Sequence, residues 1–221
     1  MKFYMYQTIK AIDHMHRRGI FHRDIKPENI LIKDDRVKLA DFGSCRGIYS
    51  QPPFTEYIST RWYRPPECLL TDGYYSHKMD IWAIGCVFFE IFSLSPLFPG
   101  NDEVDQVHKI HNVIGSPPIE VLQRFQQKAT HMDVTNFPHI VGCQIDSLIP
   151  KASQGLKEVL NKLLAYQADE RASCSKILKH PYFKELRDAD LAMQNPAETM
   201  VNFGGYKKPK MGRGNPRGSH R

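Results

Sequence analysis

Acidic residues are missing from the last stretch of this 221-residue chain. Positions 203–221 hold Lys207, Lys208, Lys210, Arg213, Arg217 and Arg221 with no Asp or Glu. The whole chain carries 30 basic and 24 acidic residues, so removing those six leaves positions 1–202 balanced at 24 against 24. The formal charge of +6 is therefore a tail property, and a neutral body predicts no specific nucleic-acid partner. The Gly-rich composition around Phe203 and Tyr206 predicts a basic, disordered tail over 188–221. A solvated tail, weak contact with acidic partners and a localisation signal all stay open for it. Cysteine is scarce: five residues lie scattered without paired metal spacing, which predicts small reduced thiols. The apolar stretch from Met79 to Leu94 is shorter than the roughly 20 residues of a membrane span and predicts a buried helix instead. The N-terminus lacks the charged start, apolar centre and small-residue cleavage site of a signal peptide, which predicts an intracellular, cytoplasmic location. No internal repeat or long linker interrupts the chain, and 41% hydrophobic residues suit one domain with its own core.

The chemistry is concentrated near the start. His22-Arg23-Asp24-Ile25-Lys26-Pro27-Glu28-Asn29 is followed, twelve residues after Asn29, by Asp41-Phe42-Gly43. Between them, Ile30-Leu31-Ile32 reads as a short buried strand and Val37 to Ala40 as a second, joined by the polar turn Lys33-Asp34-Asp35-Arg36. Such a hairpin brings Asn29 and Asp41 to one end. Their amide and carboxylate oxygens are hard ligands, better suited to Mg²⁺ than to Zn²⁺. A single charged loop residue is ordinarily just solvated, and a lone Asp-Phe-Gly is a weak signal. Both loops in this order, spacing and strand context are specific, and they resemble the catalytic and metal-binding loops of a protein kinase.

The resemblance implies a mainly helical fold, the kinase C-terminal lobe with a small β-hairpin, using ATP and Mg²⁺ as cofactors. It gives Asp24 the task of orienting the substrate hydroxyl and accepting its hydrogen bond, and Lys26 that of placing positive charge beside the transferring phosphoryl group. Lys26, Glu28, Asn29, Leu31 and Asp41 form the implied nucleotide-binding set, with Asn29 and Asp41 as metal ligands and Leu31 as the apolar floor under adenine. His22, Phe42 and Gly43 are implied structural members of the two loops. A Lys two positions after the catalytic Asp is the form found in Ser/Thr kinases.

A kinase also needs a Gly-rich loop, a phosphate-binding Lys and an upstream helical Glu before this point. None fits within residues 1–21. The expectation is thus residues 1–187 of a kinase domain without its β-rich N-terminal lobe, with negligible activity by itself. Two functions remain in view: an N-terminally truncated Ser/Thr kinase, or a non-catalytic decoy and interaction module.

Downstream lie Gly43-Ser44-Cys45-Arg46, then Thr55-Glu56-Tyr57, then Ser59-Thr60-Arg61-Trp62-Tyr63-Arg64-Pro65-Pro66-Glu67. Residues 41–67 resemble the activation segment of the cyclin-dependent and MAP-kinase group, close to the male germ cell-associated kinase relatives. Phosphates on Thr55 and Tyr57 bring charge that orders a loop only where Arg side chains receive it. The resemblance assigns Arg23 and Arg46 to phospho-Thr55, and Arg61 and Arg64 to phospho-Tyr57. It implies protein substrates with Ser/Thr-Pro sites, an upstream activating kinase, and a chaperone or docking partner. The nucleus and the cilium are further locations it implies. Pro65 departs from the small residue usual there, and Gln167-Ala168 from the usual Asp-Pro. Arg171 remains and is expected to pair with Glu67.

The scaffold is legible too. Met5, Ile9, Ile12, Met15 and His16 recur at helical spacing up to Gly19, and Asp80 opens the apolar helix as a cap and as an anchor for the catalytic-loop backbone. Residues 96–150 read as a group-specific insert with one helical patch near Val104 to Val113. Leu156, Val159, Leu160, Leu163 and Leu164 predict an amphipathic helix, and Ser173 to Phe183 closes the domain.

Overall fold

The computed structural model describes residues 1–55 and 60–194. Helix α1 (Lys2–Arg17) buries Met5, Ile9 and Ile12 completely, as one apolar stripe at i, i+4 and i+7 must. Gly19, at φ +76°, turns the chain out of the helix. Strand β1 (Ile20–Phe21) leads into the catalytic-loop segment, which ends in a 3₁₀ turn over Pro27–Asn29. Strands β2 (Ile30–Lys33) and β3 (Arg36–Leu39) then pair antiparallel with Ile30 opposite Leu39, and β4 (Arg46–Gly47) returns to pair with β1.

The β2–β3 hairpin forms where the sequence places it, but β2 is not buried. Leu31 is 53% and Ile32 52% exposed. The described residues supply one partner layer: α1 packs against β3, where Gln7 accepts from the Val37 N–H and donates to the Asp35 carbonyl. An apolar strand needs a layer on each face to be buried, and among the described residues Leu31 and Ile32, on opposite faces of β2, are both left open.

The short α2 (Pro66–Leu69) precedes α3 (Lys78–Ser93), the central helix, in which every residue from Met79 to Phe89 is buried. Trp82 stacks on Phe98 with ring centroids 5.5 Å apart. The insert holds more than the single helical patch expected. Besides α4 (Glu103–Ile114), capped by Asp102 accepting from the Asp105 N–H, it contains α5 (Ile119–Gln126) and α6 (Ile145–Leu148). Helix α5 buries Val121 and Leu122 and is only eight residues long, about two turns over which a period is hard to read.

Helix α7 (Gln154–Leu163) buries Leu156, Val159, Leu160 and Leu163 against α3. Gly85 permits that approach, since a Cβ there would lie 2.6 Å from Leu164 Cγ. Helices α8 (Cys174–Leu178) and α9 (Lys184–Gln194) complete the lobe. Helix α9 crosses position 187 and ties to α1 through Tyr6 donating to Asp190 at 3.0 Å and through the Lys10–Asp190 ion pair. Among the described residues no helix is long and apolar enough to cross a membrane.

Candidate active site

The catalytic loop hangs from α3. Asp80, 1% exposed, accepts the His22 N–H at 2.8 Å on one carboxylate oxygen and the Arg23 N–H at 2.9 Å on the other. His16 Nε2 lies 2.8 Å from the first oxygen. These bonds hold Arg23 at φ +71°, a left-handed conformation that a non-glycine residue keeps only under such constraint. The expected helix cap does not form: α3 has His77 at its cap position with no side-chain cap bond. Both Asp80 oxygens face the loop instead.

His22 bridges the two motif loops. Its Nδ1 accepts the Asp24 N–H at 3.3 Å and its Nε2 lies 3.0 Å from the Ala40 carbonyl, which requires the proton on Nε2. The ring also lies 5.5 Å from that of Phe42. The Ala40 N–H donates to the Asn29 carbonyl at 2.9 Å, so the hairpin does bring Asn29 and the neighbour of Asp41 together.

Asp24 is buried, with Lys26 Nζ 2.9 Å from its Oδ2. Asn29 Nδ2 donates to the same oxygen at 3.0 Å and to the Asp24 carbonyl at 2.8 Å. The hydrogen bond that Lys26 donates to Asp24 raises the Lys26 pKa against a smaller burial penalty, so the ammonium is retained at neutral pH. With its NH₂ group committed to Asp24, the Asn29 amide presents its carbonyl oxygen at the opposite end. Asp41 is exposed at φ +60°, its Oδ1 accepting the Gly43 N–H at 3.3 Å. Phe42 is 55% exposed, and Leu31 and Glu28 are exposed as well.

The expected phosphate-receiving arginines divide. Arg23 is 2% exposed and donates from Nε to the Ser44 carbonyl at 2.6 Å and from Nη1 to the Tyr75 hydroxyl at 2.8 Å. Tyr75 in turn donates to the Thr55 carbonyl at 2.7 Å. Arg46 on β4 is exposed and donates to the carbonyl of its neighbour Cys45 at 2.9 Å. Arg61 and Arg64 both turn toward the start of α4, Arg61 to the Asn101 carbonyl at 2.9 Å and Arg64 to Glu103 at 3.2 Å. Thr55 is exposed; Tyr57 lies outside the described residues. Sequence reasoning missed Tyr75, which sits in the plain run Gly73-Tyr74-Tyr75-Ser76 and belongs to neither motif loop.

Glu67 and Arg171 form a two-pronged pair at 2.6 and 2.7 Å, 4% and 1% exposed. The remaining guanidinium protons reach the Ala165, Tyr166 and Lys78 carbonyls, and the Trp82 ring lies 4.9 Å away. Pro65 takes φ −76° and Arg64 before it ψ +134°, both natural to an X-Pro step, so the substitution introduces no backbone strain. Gln167 accepts from Arg124 at 2.6 Å and donates to Glu170 at 2.7 Å.

Residues 1–183 match the family model for the protein kinase domain. The chain belongs to the protein kinase family. It is 56% identical over 188 residues to the human and the mouse proteins named MAPK/MAK/MRK overlapping kinase, which covers 85% of this chain and 44% of each of those. It is 43% identical over 181 residues to human serine/threonine-protein kinase MAK, covering 81% of this chain and 29% of that one. The kinase chain thus spans less than half the length of these curated relatives, and its helical body with two small sheets is that of a kinase C-terminal lobe.

Kinases generally use ATP with Mg²⁺, and the donor set here fits that ion. Asn29 would offer an amide oxygen and Asp41 a carboxylate, and among the described residues no group of three or more His, Cys, Asp or Glu side chains is gathered to enclose a metal. Mg²⁺ favours such open sites, with phosphates and water as its other ligands.

Proposed function

We propose that this lobe carries the catalytic loop of a Ser/Thr protein kinase that transfers the ATP γ-phosphate to Ser or Thr followed by Pro. The observation that carries the reading is Asp24, buried between Lys26 and Asn29 on a loop hung from Asp80. In this reading Asp24 accepts the hydrogen bond of the incoming hydroxyl and points its oxygen at the phosphorus. Lys26, held protonated by Asp24, neutralises charge on the transferring group. Asn29 and Asp41 hold Mg²⁺, which when bound screens the phosphate charge. His22 keeps the two loops in register, and Leu31 lies under adenine. Phosphates on Thr55 and Tyr57 order the activation segment through Arg23, Arg46, Arg61 and Arg64.

Residues 1–221 by themselves supply only half of the nucleotide clamp. Losing one preorganised charge-stabilising donor commonly costs about 3 kcal/mol in a transition state, and several act together here. We therefore expect no turnover from this chain alone and Mg²⁺-ATP-dependent phosphorylation once the β-rich lobe of a relative is fused ahead of it. The fused protein should prefer Ser/Thr-Pro over Ser/Thr-Ala peptides and lose activity with Asp24→Asn or Asp41→Ala. Inactivity of a well-folded fusion would sink the reading. A second reading, a non-catalytic interaction module, is favoured by the exposure of Leu31, Ile32 and Phe42. It gains if the chain alone captures protein substrates without binding nucleotide.

A further inference from the structure

Tyr75 joins three segments that the proposed activation must coordinate. Its side chain is 5% exposed, in the loop between α2 and α3. The hydroxyl accepts from Arg23 Nη1 at 2.8 Å and donates to the Thr55 carbonyl at 2.7 Å, so a single atom links the catalytic loop to the phosphorylatable position. The ring packs on Phe54 at 5.3 Å, Phe54 packs on Phe21 at 5.7 Å, and the Phe54 N–H donates to the Gly73 carbonyl at 2.8 Å. Gly73 must stay glycine, because a Cβ there would fall 2.1 Å from the Phe54 carbonyl oxygen. The activation segment is thereby fixed at Phe54 and Thr55 by one aromatic cluster and two hydrogen bonds before any phosphate is present.

We infer that Tyr75 is the positioning residue of the activation segment: it holds Thr55 beside Arg23, so that a phosphate added to Thr55 meets its arginine without a further ordering step. This deepens the proposed function and rests on its pairing of Arg23 with phospho-Thr55. The physical reason is the entropy of loop ordering. A phosphate–Arg contact made by a free loop must offset the cost of fixing each backbone residue, whereas here that cost is met by Phe54, Gly73 and the Tyr75 hydroxyl. Arg23 already holds Ser44 with Nε and Tyr75 with Nη1, which fixes the guanidinium plane before any oxyanion arrives. Removing the hydroxyl alone takes away the aim of Arg23 and the hold on Thr55 while keeping the ring contact with Phe54.

The test compares residues 1–221 with and without phosphothreonine installed at position 55, in the natural sequence and in Tyr75→Phe, read by thermal unfolding and by tryptic cleavage at Arg46 and Arg61. Phosphorylation is expected to raise the natural chain's Tm by about 3 °C or more and to slow cleavage several-fold. In Tyr75→Phe both increments should fall to less than half. Gly85→Ala serves as the control, because it destabilises the lobe at the approach of Leu163 and Leu164, away from the anchored segment; it should lower Tm in both forms and keep the increment. Equal increments in the natural chain and Tyr75→Phe would overturn the inference and leave the Arg23–phospho-Thr55 pairing standing. No increment in either would overturn that pairing, and the inference with it.

Discussion

At the residue scale the largest expected single-substitution cost lies in a charge pair away from Asp24. Arg171 and Glu67 are both buried, and every donor of the guanidinium is matched. Arg171→Ala leaves the Glu67 carboxylate buried without its partner and should cost about 3 to 5 kcal/mol, read as a lower urea midpoint; adding Glu67→Ala should recover part of the loss. Histidines give the pH dependence two opposed signs. Burial lowers the pKa of His131, but Asp72 at 2.6 Å on Nδ1 and the Leu69 carbonyl at 3.3 Å on Nε2 outweigh it, and the pKa is raised. Its stabilisation is complete below the unfolded value of 6.5 and is lost as pH rises through the higher folded value. Asp72, lowered by the Thr130 hydroxyl and then by His131, keeps its contribution above 3.8 and loses it as pH falls through the folded value. His111 acts oppositely: burial pushes it down to about 4, its neutral ring lying 2.8 Å from the Tyr166 hydroxyl, so stability falls as pH drops from 6.5 toward 4. We expect His131→Gln to flatten the decline in Tm between about pH 6 and pH 8, measured by thermal unfolding at both values. An unchanged slope would mean that the Asp72–His131 contact contributes nothing in solution.

At the element scale, α3 carries both the core and the site. Asp80→Asn puts an NH₂ group where two backbone N–H donors converge, so one of the His22 and Arg23 amides loses its acceptor. The expected cost is about 1 to 3 kcal/mol, with loss of hydrogen-exchange protection confined to those two amides and their neighbours. Gly85→Ala should also destabilise, by about 1 to 3 kcal/mol, even though Ala is the better helix former. The reason is the close approach of Leu163 and Leu164, whose nearest side-chain atoms would lie 3.1 and 2.6 Å from the added carbon. A Tm at or above that of the natural chain would show that α7 can retreat. Helices α1 and α7 were legible in the sequence from their apolar stripes, and α3 from its long apolar run. The insert helices α5 and α6 were not, because eight and four residues span too few turns for a period to stand out.

At the scale of the whole molecule, apolar side chains stand open on both faces of β2. Leu31, Ile32 and Phe42 are each more than half exposed, and exposed large apolar side chains favour association. Residues 1–221 alone are expected to self-associate, and Leu31→Lys with Ile32→Lys to restore a monomer without lowering Tm. Sedimentation velocity over a concentration series checks this; a monomeric natural chain at every concentration would refute it.

The division between sequence and tertiary structure follows from the range of the interactions. The two motif loops around Asp24 and Asp41, the hairpin between them and the Glu67–Arg171 pair were readable because each rests on specific side chains at fixed spacing. The tertiary structure alone decided that Asp80 serves the loop and does not cap its helix, that β2 lies open, and that Tyr75 stands between Arg23 and Thr55. Each depends on which groups from distant parts of the chain arrive within about 3 Å of one another, and no local pattern records that.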